Sequence, residues 1–284
     1  MEDTTQTVYA EYRSRILDLP IDCLIDLGEI PYQKGMYPTS RKKKAVEILN
    51  KYNIPFTEVG TGTNRFIVKY DGFAMKIALD KEGIADNKQE WVMSGMLAPH
   101  VAPAHDISKG GHLLMASYAP AFTSYTEMSC HSVKIRKILG MWASRFLLGD
   151  VGFNRINYAN WGMLNGEPVC IDYAYIFPAS MNLFQCCCGC KQMKFVDDTY
   201  SAYKCVECGR EYEDRDLRAK ISQEDRLRLF NNVEGVELHS SREKHAVLPK
   251  YIPKNTNPDR PDMYRATVDC INMRNGLPNW WSGK

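Results

Sequence analysis

Hydrophobic and polar positions along the chain change period several times, and each change marks an element. Ala45, Ile48, Leu49 and Tyr52 recur at helical spacing and predict a helix from 41 to about 51. Alternating stretches rich in β-formers follow at 56–60, 65–70 and 73–79, with Asp71-Gly72 as the tight turn between the last two. A second helix is expected over 84–97, then strands at 102–107 and 112–118 joined by Gly110-Gly111. Three strands, a helix and two strands make a small antiparallel sheet carrying one helix, which sets an α+β class. A long helix over 132–148 leads into a loop, after which strands at 161–164 and 168–171 flank Asn165-Gly166-Glu167. A charged helical stretch runs from 216 to about 230, and the tail from Pro249 has five prolines and little periodicity. Residues 1–40 mix short apolar pieces with Pro20, Pro31 and Pro38 and read as an N-terminal extension.

Composition narrows the classes without choosing one. At 284 residues there is room for a two-lobed domain plus a small module. With 44% hydrophobic and 25% charged residues, neither global disorder nor a membrane-embedded protein is favoured. No apolar run approaches the roughly 18–20 residues that a spanning helix needs. The acidic start Met1-Glu2-Asp3 is unlike a secretory signal, so a cytoplasmic location is expected. A net charge of +2 gives little attraction to nucleic acid, and Arg41-Lys42-Lys43-Lys44 reads as a solvated helix face.

Cysteine usage changes the picture. Six of the ten cysteines lie between Cys186 and Cys208, which without an export signal points to metal rather than disulfides. Cys187-x-x-Cys190 and Cys205-x-x-Cys208 are separated by fourteen residues, and two such knuckles close a tetrahedral site for zinc. Cys186 is an alternative to Cys187 in the first pair. Four thiolates leave no position for water, so the zinc is expected to be structural, folding a ribbon too small to fold alone. Lysines in this segment are offset by Asp197, Asp198, Glu207 and Glu211, which makes a protein partner a better expectation than nucleic acid.

Three further motifs carry chemistry. Gly60 and Gly62 sit at a strand-to-strand turn, where glycines let backbone N–H groups approach phosphate. Lys76 interrupts the apolar strand Phe73-Ala74-Met75-Lys76-Ile77-Ala78 and needs an acid partner, for which Glu90 in the following helix is suited. Asn160 and Asp172 stand at opposite ends of a short hairpin, where their oxygens can converge on Mg²⁺ and leave its other positions to phosphate. Taken singly, each has a plainer structural reading: a tight turn, an edge lysine with a surface glutamate, a turn asparagine, a helix cap.

In order and kind, these residues resemble the protein-kinase superfamily, and more closely kinase-like proteins of tailed bacteriophages, over roughly 56–178. The phrases Gly62-Thr63-Asn64-Arg65, Lys76-Ile77-Ala78-Leu79-Asp80, Gly83-Ile84-Ala85-Asp86-Asn87 and Asp172-Tyr173-Ala174-Tyr175 carry the closer likeness. The resemblance implies that Lys76 holds the α- and β-phosphates of ATP and pairs with Glu90, that Asn160 and Asp172 hold Mg²⁺, and that 115–120 is the hinge beside adenine. It implies a two-lobed kinase-like core, with an extension over 1–40, an N-lobe over 41–118, a C-lobe over 119–180, a zinc ribbon over 181–216 and a helix and tail over 217–284. The chain departs from the pattern where the superfamily places its base aspartate: that position is Arg155, and the nearest upstream acid is Asp150, a candidate base only if the loop is remodelled. No Ala-Pro-Glu follows. Two functions are therefore carried forward: a nucleotide-binding phosphotransferase of weak activity, and a pseudokinase scaffold in the host cytoplasm or virion that contacts a protein partner through the ribbon or termini.

Overall fold

Strand parity explains how the central sheet is built. The computed structural model describes residues 16–151, 156–178, 185–197 and 202–213, together with Arg226 and Phe230. Its main sheet has five strands, β1 (Thr57–Thr61), β2 (Arg65–Tyr70), β3 (Phe73–Ala78), β4 (Ala104–Ile107) and β5 (Leu113–Ser117), in the order β1-β2-β3-β5-β4 with every pair antiparallel. Asp71 and Gly72 both take positive φ (46° and 79°), the paired left-handed conformation of a two-residue hairpin turn. Successive side chains alternate between faces, so Phe66, Val68, Met75, Ile77, Leu113 and Met115 share one face, while Lys76 and Leu114 point to the other.

The first face is covered by the N-terminal residues. Helices α1 (Ile21–Glu29) and α2 (Pro38–Lys51) bring Leu24, Leu27, Ala45, Ile48 and Leu49 into one apolar cluster with the sheet, and Ile16 and Ile30 join them. The stretch read as an extension thus supplies, from residue 16 onward, six of the seventeen buried residues in the core behind the sheet. α2 begins three residues before the expected Arg41, because Pro38 has a φ suited to the first helical turn and no N–H to satisfy there.

The second face carries α3 (Lys81–Leu97), which starts at Lys81 rather than at 84 because the Asp80 carboxylate caps the Gly83 N–H at 2.9 Å. This helix is buried on nearly all sides. Trp91 and Val92 face the cysteine-rich module, and Met93 and Leu97 face a second core. That core gathers around α4 (Tyr125–Ser129) and α5 (Ser132–Ala143), with Ile135, Ile138, Leu139 and Trp142 packed on Trp161 and Cys170. The helix expected over 132–148 ends at Ala143. Phe146–Leu147 instead form a short strand, β6, paired with β9 (Phe177–Pro178), a pairing across thirty residues that local periodicity does not register.

The strands β7 (Trp161–Leu164) and β8 (Glu167–Cys170) make the second hairpin, with Asn165 and Gly166 at φ 51° and 81°. β10 (Met193–Asp197), β11 (Ala202–Cys205) and β12 (Glu211–Glu213) form a separate three-stranded antiparallel sheet. The buried Tyr203 anchors it: its hydroxyl donates to Phe146 O at 3.0 Å and accepts from Leu148 N at 3.3 Å. Among the described residues, no helix is long and apolar enough to cross a membrane.

Candidate functional site

Lys76 lies on the α3 face of β3 and its ammonium is held by the Glu90 carboxylate, with a second bond to Ile171 O at 2.7 Å. Glu90 is fully buried and makes further contacts through its other oxygen, with Arg65 Nη2 at 3.0 Å and with the Tyr173 N–H at 3.3 Å. Arg65, at the start of β2, donates through the same nitrogen to Asp172 Oδ1 at 2.9 Å. Two cations and two carboxylates therefore meet where β2, β3, α3 and the end of β8 converge. Burial alone would lower the affinity of Arg65 for its proton, but the surrounding charges of Glu90, Asp172 and Asp86 outweigh it and raise its pKa. For Asp172, desolvation raises the pKa, and the charges of Arg65 and Lys76 more than reverse that, leaving it below the usual carboxylate range.

Asp172 is nonetheless reachable: its side chain is 44% exposed, against 0% for Glu90. Asn160 ends a short 3₁₀ turn (Tyr158–Asn160) just before β7, and its carbonyl accepts from Ile171 N at 2.8 Å, so Asn160 and Asp172, which flank the hairpin at its two ends in sequence, lie together at the open end of β7–β8. At the turn between β1 and β2, Gly62 N donates to Arg65 O at 3.0 Å, and a Cβ on Gly60 would meet nothing within 4 Å. Neither Gly60 nor Gly62 is demanded by packing, which leaves the space above the turn open. Gly83 is demanded: a Cβ there would stand 2.2 Å from Asn64 O, so glycine is what lets α3 start against this turn. The backbone of Asp150 lies in a 3₁₀ turn (Gly149–Val151); its side chain, and all of Arg155, fall outside the described residues.

Two arginines were missed from sequence. Arg65 has no local feature that announces a buried role, and its partner Asp172 is 107 positions away. Arg226 is 1% exposed and reaches α3 from the far end of the chain, contacting Glu82, Asp86 and Gln89. Arg226 lies more than a hundred residues from each of these partners, and Arg65 meets its acids only once β2, α3 and the segment after β8 pack together, so neither leaves a spacing signal.

The cysteine module gathers four sulphurs, those of Cys186, Cys188, Cys205 and Cys208, all within 4.8 Å of one another. Spacing points instead to Cys187, Cys190, Cys205 and Cys208, with Cys186 as the alternative to Cys187. The backbone explains the difference. In the second turn Gly209 N donates to Cys205 O and Cys205 N to Arg210 O; in the first, Gly189 N donates to Cys186 O and Cys186 N to Cys190 O. The two turns close alike, but the first is one residue shorter, so Cys186-x-Cys188-Gly189 matches Cys205-x-x-Cys208-Gly209. Gly189 and Gly209 both have positive φ, 93° and 73°. In each turn the first thiol is lowered chiefly by a backbone N–H of the second cysteine, Cys188 for Cys186 and Cys208 for Cys205, the latter to about 6. Cys187 points out to Arg210, with Sγ 3.1 Å from Nη1, and Cys190 Sγ accepts from Gln192 N at 3.3 Å. A zinc ion with bonds of about 2.3 Å would need sulphurs about 3.8 Å apart; Cys186–Cys208 and Cys188–Cys205 stand at 3.4 and 3.6 Å.

No family model matches the chain, and no curated protein does. Among solved structures, the chain is similar to the Rio2 kinase–ADP/Mg²⁺–phosphoaspartate complex from Chaetomium thermophilum, at 12% identity and a TM-score of 0.32. The match covers 48% of this chain and about half, 53%, of that one.

Proposed function

We propose that this chain is a protein-kinase-like protein that binds Mg-ATP, with Lys76 on the phosphates, Glu90 holding Lys76, and Asp172 with Asn160 holding the metal. The observation that carries the reading is the Lys76–Glu90 pair buried between the five-stranded antiparallel sheet and α3, with Asp172 beside it. The succession of three strands, one helix and two strands, and an acid two residues after β8, fit the arrangement that the sequence resemblance implies. Three features fit the ligand. Arg65 Nη1 is buried and has no hydrogen-bond partner, the Asp172 carboxylate is open on one side, and the Gly60/Gly62 turn leaves space for phosphate. When bound, Mg²⁺ neutralises charge on the phosphates. The chain's own residues orient them.

Phosphotransfer is expected to be weak, because Arg155 stands at the base position and general-base help is typically worth about 10²- to 10⁴-fold. Asp150 remains the candidate base. One observation favours the second reading, a pseudokinase scaffold acting in a virion or the host cytoplasm of a phage: the charges of Arg65, Lys76, Glu90 and Asp172 already balance without a ligand. In either case the module of Cys186, Cys188, Cys205 and Cys208 holds one structural zinc ion and offers a surface to a protein partner. Calorimetric titration with ATP, with and without Mg²⁺, on wild type, Lys76→Ala and Asp172→Asn separates the two. Binding that needs Mg²⁺ and is lost in both variants supports the nucleotide site; absence of binding to wild type leaves the scaffold.

A further inference from the structure

Arg226 is a buried arginine that reaches the nucleotide-site helix from a distant part of the chain, and each of its three guanidinium nitrogens is engaged. Nε donates to Gln89 Oε1 at 3.1 Å, Nη1 to Glu82 Oε2 at 2.9 Å, and Nη2 to Asp86 Oδ1 at 2.6 Å and to Ala174 O at 3.1 Å. Its guanidinium carbon lies 4.2 Å from the centre of the Tyr175 ring. Glu82, Asp86 and Gln89 are spaced four and three apart, which places them on one face of α3. Ala174 and Tyr175 belong to the segment directly after Asp172. The guanidinium therefore ties the helix that carries Glu90 to the segment that carries Asp172.

The tie is continued on both sides. Gln89 Nε2 donates to Ile176 O at 2.8 Å, and Asp86 also receives Asn64 Nδ2 at 3.4 Å and lies 3.8 Å from Arg65 Nε. Asp86 thus stands between two arginines, one from the sheet and one from the C-terminal part of the chain. A planar fork is required here: lysine has one nitrogen and could not span three side chains and a carbonyl at once. The apolar Phe230, also fully buried, packs in the cluster that joins α3 to the cysteine module and gives the same stretch of chain a second anchor.

We propose that Arg226 is a positioning residue, which locks α3 against residues 174–176 and so holds Glu90, and with it Lys76 and Arg65, in register with Asp172. The proposal rests on the nucleotide-site reading for its functional consequence, and on the contacts alone for its mechanical one. Residues beyond the sheet and hairpins are then part of the site, and a ligand or partner that withdraws Arg226 would release α3.

The test uses the full chain as wild type, Arg226→Gln, Arg226→Lys and Phe230→Leu, with two readouts. Hydrogen exchange should show α3 amides between 84 and 92 exchanging at least tenfold faster in Arg226→Gln than in wild type, with β2 and β3 unchanged. Mg-ATP affinity should fall at least tenfold in Arg226→Gln and less in Arg226→Lys. Phe230→Leu should lower the melting temperature without a comparable change in affinity. Unchanged exchange in α3, or a uniform rise across the whole protein, would overturn the latch, as would wild-type affinity in Arg226→Gln. Should wild type bind no nucleotide, the functional reading fails by itself, and the exchange pattern still decides whether Arg226 locks the helix.

Discussion

The charge cluster under the sheet and the thiol cluster beside it solve the same problem of gathering polar groups in two different ways. Lys76, Arg65, Glu90 and Asp172 come from four separate elements, and each charge is met by an opposite one already in the fold. Packing of the sheet, α3 and β8 brings them together, and their charges balance within the fold. The four cysteines come from two short turns, each closed by its own backbone hydrogen bonds. Their thiols have little to offer one another, since sulphur is a weak donor and a weak acceptor. The first cluster is a product of folding; the second, on the zinc proposal, is drawn together by the ion that it would hold. Removing a component should therefore have opposite signatures in the two places.

The largest effect is expected at the thiols. A four-thiolate zinc site in small modules is worth about 10–16 kcal/mol, far more than three short strands gain by pairing. Protein purified without added metal should contain one zinc per chain by elemental analysis, and Cys205→Ser or Cys208→Ser should contain none. Cys187→Ser and Cys190→Ser should keep theirs, because the structure groups Cys186 and Cys188 instead. Loss of zinc in Cys187→Ser with retention in Cys186→Ser would restore the ligand set that spacing suggests.

At the charge cluster, the cost comes from leaving a charge without its partner. Glu90→Ala leaves Lys76 and Arg65 facing each other in a buried site, which should cost about 3–5 kcal/mol in urea denaturation. Replacing both members, as in Lys76→Met with Glu90→Leu, should recover part of that loss, since an apolar pair of similar volume is often no worse than a buried ion pair. If the double variant were less stable than Glu90→Ala, the cluster would owe its stability to something other than mutual charge compensation.

What could be read from sequence follows the same division. Lys76 was legible because one charge between Met75 and Ile77 must face away from the core that they enter, and the helix holding Glu90 comes next in the chain. Asp71-Gly72 was legible because only a few residue types accept both positive φ values. Arg65 and Arg226 were not, since their partners are brought close only by tertiary packing. The cysteines were legible as a cluster and ambiguous as ligands: Cys186, Cys187, Cys188 and Cys190 supply two overlapping registers, and turn length, set by backbone hydrogen bonds, separates them. Phe146 and Leu147 continued a helical pattern, and a strand partner thirty residues on overrode it.

A smaller effect should follow where α3 meets the glycine turn. Gly83→Ala places a Cβ 2.2 Å from Asn64 O and 3.1 Å from Ala78 Cα, both backbone atoms that yield only if the helix shifts. Overpacking of this kind costs about 1–3 kcal/mol, partly offset by alanine's better helix propensity. Because the shift moves α3, Mg-ATP affinity should fall with stability in Gly83→Ala, whereas Gly60→Ala, at a position with open space around its Cβ, should leave stability within about 0.5 kcal/mol of wild type. Equal stability losses at the two glycines would mean that the turn, and not the approach of the helix, sets the requirement.

The smallest effect concerns a titrating group that, unlike Asp172, has no opposite charge among the causes of its shift. His112 joins the β4–β5 loop to the N-terminal residues: its Nε2 is 3.1 Å from the Tyr32 hydroxyl, and its ring lies edge-on to Tyr32 at 5.6 Å and within 3.8 Å of a Cβ placed on Gly28. Burial lowers its pKa below the ordinary histidine value, and the nearby Lys88 charge lowers it further. Above about pH 6.5 the imidazole is neutral in both folded and unfolded chains, so its contribution to stability is fully present. As pH falls below that value the unfolded chain takes up a proton that the folded one resists, and stability declines until the folded pKa is passed. His100 is also shifted down by burial and adds to the same slope, so the share of His112 must be isolated by substitution. The melting temperature of wild type should drop between pH 7 and pH 5, and His112→Gln should show a shallower drop over that window. Asp172 should contribute nothing there, because its pKa lies below the carboxylate range and its loss begins only under about pH 3.8. Identical slopes for wild type and His112→Gln would place the acid sensitivity elsewhere and show that Tyr32 and the loop accept the imidazolium without cost.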